Sequence, residues 1–409
     1  MGIVPVSIPN AARSVATDIY WLMPGPRAFI EAVIAAIVEH RWLAIRTPSF
    51  SIPGFTVALD AAVQRAHLDN ERARWVRIYD SSEVAAQVGT VFNAPSVLPS
   101  QLALMHGPIR SIVLDPTSEL AVAHCEQYLE AFVETVSDVP RTRGQVCLIA
   151  LLPQSHDATK APVARCPQEI VFSGALTAEE MQAYVAVRMT DRSGPDSTGL
   201  LRWLVTEFAG FDAQLAEELM AMSDELLLAL PKSLEALSAQ ADNRWRTGRW
   251  STGCYANVGG KTLRHVLHEL HLSRHAGPEQ RVAAEWLKRR YWRACLRSLL
   301  PWLEERRSCV IEVLRGPLEE HLRPTGGKAT RITRSGSRIE THIDDLEYNQ
   351  IPGLVFNEGF RVTEPRQKLA VELCFAAKRV RDDMAHLRPP EVRAILELVD
   401  LMNRLLTQP

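Results

Sequence analysis

No apolar run in the chain approaches the ~18 residues of a membrane span, so a transmembrane helix is not expected. The seven cysteines, at 125, 147, 166, 254, 295, 309 and 374, contain no Cys-x-x-Cys pair. That spacing argues against a zinc ribbon or a disulfide scaffold and fits reduced thiols in a cytoplasm. Met1 to Asn10 has no charged region leading into an apolar core, so no secretion signal is expected. Lysine is missing before Lys160, which denies the first third of the chain the ammonium group that a phosphate-cradling Gly-Lys-Ser/Thr loop uses. Internal repeats and low-complexity tracts are also missing. What remains is an ordinary globular composition, 46 % apolar and 23 % charged, and 409 residues are enough for two or three domains.

Charge is unevenly spread. The formal net charge is −2, yet residues 241–330 hold 17 Lys+Arg against 9 Asp+Glu. A basic segment inside a near-neutral chain is the footprint expected of a polyanionic partner. Within it Lys288, Arg289, Arg290, Arg293 and Arg297 alternate with Trp286, Tyr291 and Trp292. Arginines interleaved with aromatics can hold phosphates and stack unpaired bases, although Ala283, Trp286, Leu287 and Cys295 also read as a buried stripe with the basic residues on its solvated side. Arg331, Arg334 and Arg338 in the loop or small hairpin at 325–340, and the Arg244–Trp250 cluster, add to the same charge. A nucleic-acid partner, RNA or DNA, is expected.

From Ile19 to about Met189 short apolar runs alternate with amphipathic stretches. Strands are predicted at 19–22, 43–45, 75–79, 111–114, 145–152 and 169–172, each apolar throughout rather than alternating, as in strands buried on both faces. The fold class predicted for residues 1–190 is therefore α/β, doubly wound on a mostly parallel sheet. A turn-rich break at 191–197 opens an acidic helical stretch to about 240, a lid or linker. Residues 241–409 read as an all-α domain, with helices at 262–275, 279–299, 302–314, 366–387 and 391–406.

Near the chain end stands Arg381-Asp382-Asp383-Met384-Ala385-His386. On a helix Asp382 and His386 share a face, where a carboxylate can orient an imidazole. Arg381 lies about 140° round from His386, so a site using both is easier to build across a two-fold interface. This Arg-x4-His pattern in a helical C-terminal region resembles the signature of HEPN domains. The resemblance implies metal-independent RNA cleavage by paired protomers, with no cofactor: Arg381 binds the scissile phosphate, His386 moves a proton, and Asp382 supports it. It also implies a toxin or effector role in prokaryotic antiphage or abortive-infection systems, with partner proteins from the same operon. The other reading is a non-catalytic nucleic-acid-binding or scaffold subunit.

The order of elements in the first half, with Asp115 ending an apolar strand, resembles a P-loop NTPase core that has lost its phosphate loop. Only Pro24-Gly25-Pro26-Arg27 stands where that loop is expected, so a non-hydrolysing relative is implied, with Arg27 the one substitute for the missing lysine. Gly259-Gly260-Lys261-Thr262 imitates a Walker motif at a predicted helix start, but Tyr255 replaces its first glycine. His265, His268, His271 and His275 share one predicted helix, where a polar flank accounts for them better than a metal site.

Overall fold

The structure, a computed structural model, describes residues 19–47, 52, 54–67, 73–80, 83–136, 144–153, 168–190, 198–234, 255–258, 261–275, 277–332 and 338–407. The chain folds as two compact units. One comprises Met1–Arg188, Ala209–Ala221 and Ser238–His268; the other comprises Met189–Phe208, Met222–Leu237 and Glu269–Pro409.

The first unit is the α/β fold that the uniformly apolar strands predict. Five strands, β1 (Trp42–Thr47), β2 (Arg74–Ile78), β3 (Ser111–Pro116), β4 (Cys147–Pro153) and β5 (Glu169–Val171), lie in the order β2-β3-β4-β1-β5, and every neighbouring pair is parallel. Ala44, Ile112, Leu114, Leu148, Ala150 and Leu152 pack on α3 (Val84–Val91), α4 (Pro99–Leu104) and α5 (Glu119–Val136). Because side chains alternate along a strand, the equally buried Leu43, Ile45, Val113 and Ile149 point to the opposite face. That is why the runs read as continuous: both faces are covered. The edges are blunted, β5 by its length of three residues and β2 by exposed Arg74 and Arg77.

Residues 19–22, expected as a strand, are helical and lead into α1 (Pro24–Glu39). Four aromatic and apolar residues cannot by themselves distinguish a strand from a buried helical turn. Tertiary packing decides: Trp21 stacks on Phe172 and meets Phe29 and Phe55 at a tilt, and the buried Tyr20 hydroxyl donates to the Gly174 carbonyl at 2.8 Å. Phe55 opens α2 (Phe55–His67). The unit also contains α6 (Ala178–Arg188), closed at its start by a reciprocal capping box: Thr177 N–H donates to Glu180 Oε2 and Glu180 N–H to Thr177 Oγ1. Helix α8 (Ala213–Met220) and the hairpin β6 (Tyr255–Val258) and β7 (Lys261–Arg264) complete it.

The second unit is mainly helical: α7 (Leu200–Ala209), α9 (Asp224–Leu228), α10 (Val266–Arg274, which begins in the first unit), α11 (Gln280–Leu322), α12 (Gln350–Asn357), α13 (Pro365–Ala385) and α14 (Val392–Thr407). The hairpin β8 (Lys328–Ile332) and β9 (Arg338–His342) interrupts it, resolving the predicted loop-or-hairpin in favour of the hairpin. Two helices predicted at 279–299 and 302–314 are one helix of 43 residues that runs through Pro301 and Pro317. A proline removes one backbone bond and crowds the preceding turn. Buried Leu299, Trp302, Leu303, Val310, Ile311, Leu314 and Leu318 keep helical spacing on both sides, and that packing outweighs the loss.

Gly89 in α3 has no room for a side chain, since a Cβ there would stand 2.6 Å from the Ala94 carbonyl oxygen. Gly89→Ala is expected to destabilise by about 1–3 kcal/mol through overpacking, exceeding the ~1 kcal/mol gained in helix propensity. Urea unfolding tests it; an unchanged or raised midpoint would mean that the turn at 92–96 yields at little cost.

Candidate functional site

Helix α13 carries Arg381 and Asp382 in its last turn and ends at Ala385. His386 is the C-cap and Leu387 adopts a left-handed φ of 57°. Leu387 N–H bonds to the Met384 carbonyl at 3.2 Å and Arg388 N–H to the Asp383 carbonyl at 2.9 Å, the paired bonds of a Schellman motif. Glycine normally fills the left-handed position; here it is an exposed leucine. The Trp292 indole N–H, from α11, also donates to the Met384 carbonyl at 2.8 Å and pins the helix end.

This ending overturns one expectation. His386 caps the helix with its N–H still donating to the Asp382 carbonyl at 3.1 Å, but no ion pair forms between the Asp382 and His386 side chains. Asp382 instead accepts from Lys378 Nζ at 2.7 Å, one turn earlier. The His386 side chain is exposed and makes no hydrogen bond among the described residues.

Arg381 is 22 % exposed and sits among carboxylates: Nη2 is 3.2 Å from Glu347 and 3.8 Å from Glu304. Its Nη1 is buried without a hydrogen-bond partner among the described residues. Glu304 also holds Arg307 at 3.2 Å, and Arg307 Nη1 donates to the Asp344 and Leu346 carbonyls at 3.1 and 3.2 Å. Buried Tyr348 donates to the Leu303 carbonyl at 2.9 Å, and burial pushes its hydroxyl well above the usual tyrosine range. Glu304 and Glu347 carry no motif and lie far from Arg381 in sequence, so only the fold reveals them.

The basic stripe of α11 divides. Arg290 is no phosphate ligand in this arrangement, because it is largely buried, pairs with Glu269 through Nε and Nη2 at 2.8 and 3.1 Å, and donates to the Glu207 carbonyl at 2.7 Å. Arg293 and Arg297 each donate at 2.8 Å to the carboxylate of Glu207, which is 7 % exposed. Arg297 also stacks over Trp203 at 5.1 Å. Lys288 and Arg289 remain exposed, Lys288 beside Glu285 at 3.0 Å and Arg289 over half-exposed Trp286 at 5.8 Å. Arg331 belongs to β8 by its backbone. Its side chain, Arg334, the Arg338 side chain and the Arg244–Trp250 cluster lie outside the described residues.

In the α/β unit the strand order reverses at β1 and β4: the chain leaves β1 toward β2 and leaves β4 in the opposite direction, to β5. Ligands of doubly wound sheets bind outside the carboxyl ends of such strands. Arg46 stands at that end of β1, but Glu126 at 3.2 Å and Glu169 at 3.4 Å already neutralise it. Burial holds the Asp115 carboxyl above the usual carboxylate range, with Arg77 pulling it back. Pro24-Gly25-Pro26-Arg27 is not a phosphate site either. Gly25 N–H donates to Glu180 Oε1 at 2.5 Å, so a carboxylate occupies the α1 N-terminus, and exposed Arg27 pairs with Glu31. Lys261 and Thr262 lie in strand β7 rather than at the predicted helix start. His265, predicted on a helix, precedes it: it accepts from Leu267 N–H through Nδ1 and meets Asp212 Oδ2 at 3.0 Å through Nε2. Asp212 Oδ1 meanwhile caps α8, so this buried pair is structural.

No family model matches the chain, and no curated protein matches it. Among the described residues no helix is long and apolar enough to cross a membrane.

Two substitutions test this picture of the helix end and the polar core. Leu387→Gly should stabilise by about 1 kcal/mol, because glycine adopts the left-handed region without a Cβ penalty. Glu207→Leu should destabilise by about 2 kcal/mol, less than the roughly 3–5 for a fully buried pair because Arg293 and Arg297 are partly solvated. Urea midpoints measure both; a neutral Glu207→Leu would mean that the two arginines find water without loss.

Proposed function

We propose that the helical unit is a HEPN-type endoribonuclease working without metal, the effector of a prokaryotic antiphage or abortive-infection system, with the α/β unit as its non-hydrolysing regulatory part. The observation that carries this reading is the end of α13: an exposed imidazole, His386, follows by five positions a guanidinium, Arg381, that keeps one nitrogen unpaired. In the proposed step His386 takes the proton of the attacking 2′-hydroxyl or delivers one to the leaving oxygen, and Arg381 stabilises the charge that builds on the phosphate. The substrate strand is held by the exposed Lys288 and Arg289 beside Trp286, with the β8–β9 hairpin supplying further charge.

A second reading, a non-catalytic nucleic-acid-binding or scaffold subunit of a multi-protein defence complex, is favoured by a different observation. Asp382 pairs with Lys378 and Arg381 with carboxylates, so neither is committed to His386. Labelled RNA incubated with the full chain distinguishes the two, cleavage favouring the first and binding without product the second.

Arg381→Ala and His386→Ala are each expected to abolish cleavage while leaving the fold intact. If one protomer supplies the arginine and its partner the histidine, mixing the two inactive variants rebuilds one complete site in each mixed dimer and restores about a quarter of the wild-type rate under random exchange. Undiminished cleavage by both single variants overturns the mechanism, and no recovery on mixing overturns the shared site.

A further inference from the structure

The proposal rests on the reading of Arg381 as a phosphate-binding group. We infer that Glu347 occupies the position of the RNA phosphate on Arg381 and must be displaced for the site to open. An arginine that recognises a phosphodiester presents a fork of N–H donors to two oxygens. Here Nη2 faces the Glu347 carboxylate at 3.2 Å, while buried Nη1 has no hydrogen-bond partner among the described residues. The carboxylate satisfies half of a fork that two phosphate oxygens would fill.

The contact is built to yield. Glu347 is 51 % exposed, and a partly solvated pair of this kind is worth only about 0.2–1 kcal/mol. Buried Glu207 and Glu269, by contrast, cannot be exchanged for a ligand without opening the helical core. Glu347 is also tied to a basic element. Its N–H donates to Gln350 Oε1 at 2.7 Å, and Gln350 Nε2 donates to Thr341 Oγ1 at 3.0 Å on β9. Thr341 pairs in register with Ala329 of β8, in the hairpin that carries Lys328 and Arg331. A strand of RNA drawing on the hairpin therefore pulls on the segment that holds Glu347 against Arg381. Gln350 is a positioning residue in this chain of contacts.

Binding of a fluorescently labelled single-stranded RNA to the full chain, followed by anisotropy across a salt series, tests the latch, with cleavage followed in parallel. Glu347→Gln should tighten binding about 1.4–5-fold, the factor set by losing a competing pair of that strength. It should also steepen the dependence of log K on log salt by about 0.7, one added phosphate contact on a single strand. Gln350→Ala, which frees the latch but keeps its charge, should give a smaller gain. Neither gain should survive in the Arg381→Ala background. If Arg381→Ala weakens binding or cleavage while Glu347→Gln matches wild type, the latch is overturned and the role of Arg381 stands. Tighter, Arg381-dependent binding without cleavage supports the latch and overturns the nuclease reading. Binding indifferent to both substitutions overturns the latch and the phosphate role together.

Discussion

Glu207 decides where the positive charge of the helical unit can act. Its carboxylate takes Arg293 and Arg297 at 2.8 Å each, its carbonyl takes Arg290, and Glu269 closes the remaining side of Arg290. A buried carboxylate left unpaired costs several kcal/mol, and so does a buried guanidinium, so these groups need one another before they can serve anything else. Three arginines of the basic segment 241–330, Arg290, Arg293 and Arg297, are therefore committed to holding α7 and α10 to α11. Lys288 and Arg289 of the same helix stay exposed, beside half-exposed Trp286.

The same kind of contact recurs at three places among the described residues. Glu180 sits on the Gly25 amide at the start of α1, Glu126 and Glu169 sit on Arg46 at the end of β1, and Glu347 sits on Arg381. Solvent separates these cases. Glu180 is buried and also closes its own helix through the capping box, so removing it costs two sets of bonds. Arg46 is flanked by two carboxylates and is itself mostly covered. Glu347 is half solvated and makes one weak contact, so of the four carboxylates it is the least firmly held.

Much of the architecture was legible in the chain. Continuous apolar runs such as Ser111–Leu114 and 145–152 require cover on both faces, and the parallel sheet provides it. The misreadings share a cause. Ile19-Tyr20-Trp21-Leu22 has strand composition but serves as a helical turn in an aromatic cluster, and Pro301 was read as a boundary although packing carries α11 through it. In both, long-range contacts override local preference. The candidate site was legible as residue types at a spacing, Arg381 and His386, and no further. Glu304, Glu347 and Glu207 are ordinary acidic residues in sequence, and what makes them matter is separation in the chain closed by the fold.

The geometry of the helix end also fixes where His386 stands. Continuing α13 past His386 would cost existing bonds. That extension would break the Leu387 and Arg388 bonds to the Met384 and Asp383 carbonyls, and Pro389-Pro390 deny it amide donors and disfavour the helical conformation at Arg388. The Trp292 indole holds the Met384 carbonyl from the side, so the end cannot easily swing either. His386 thus stays turned to solvent, while Arg381 stays among Glu304, Glu347 and Arg307.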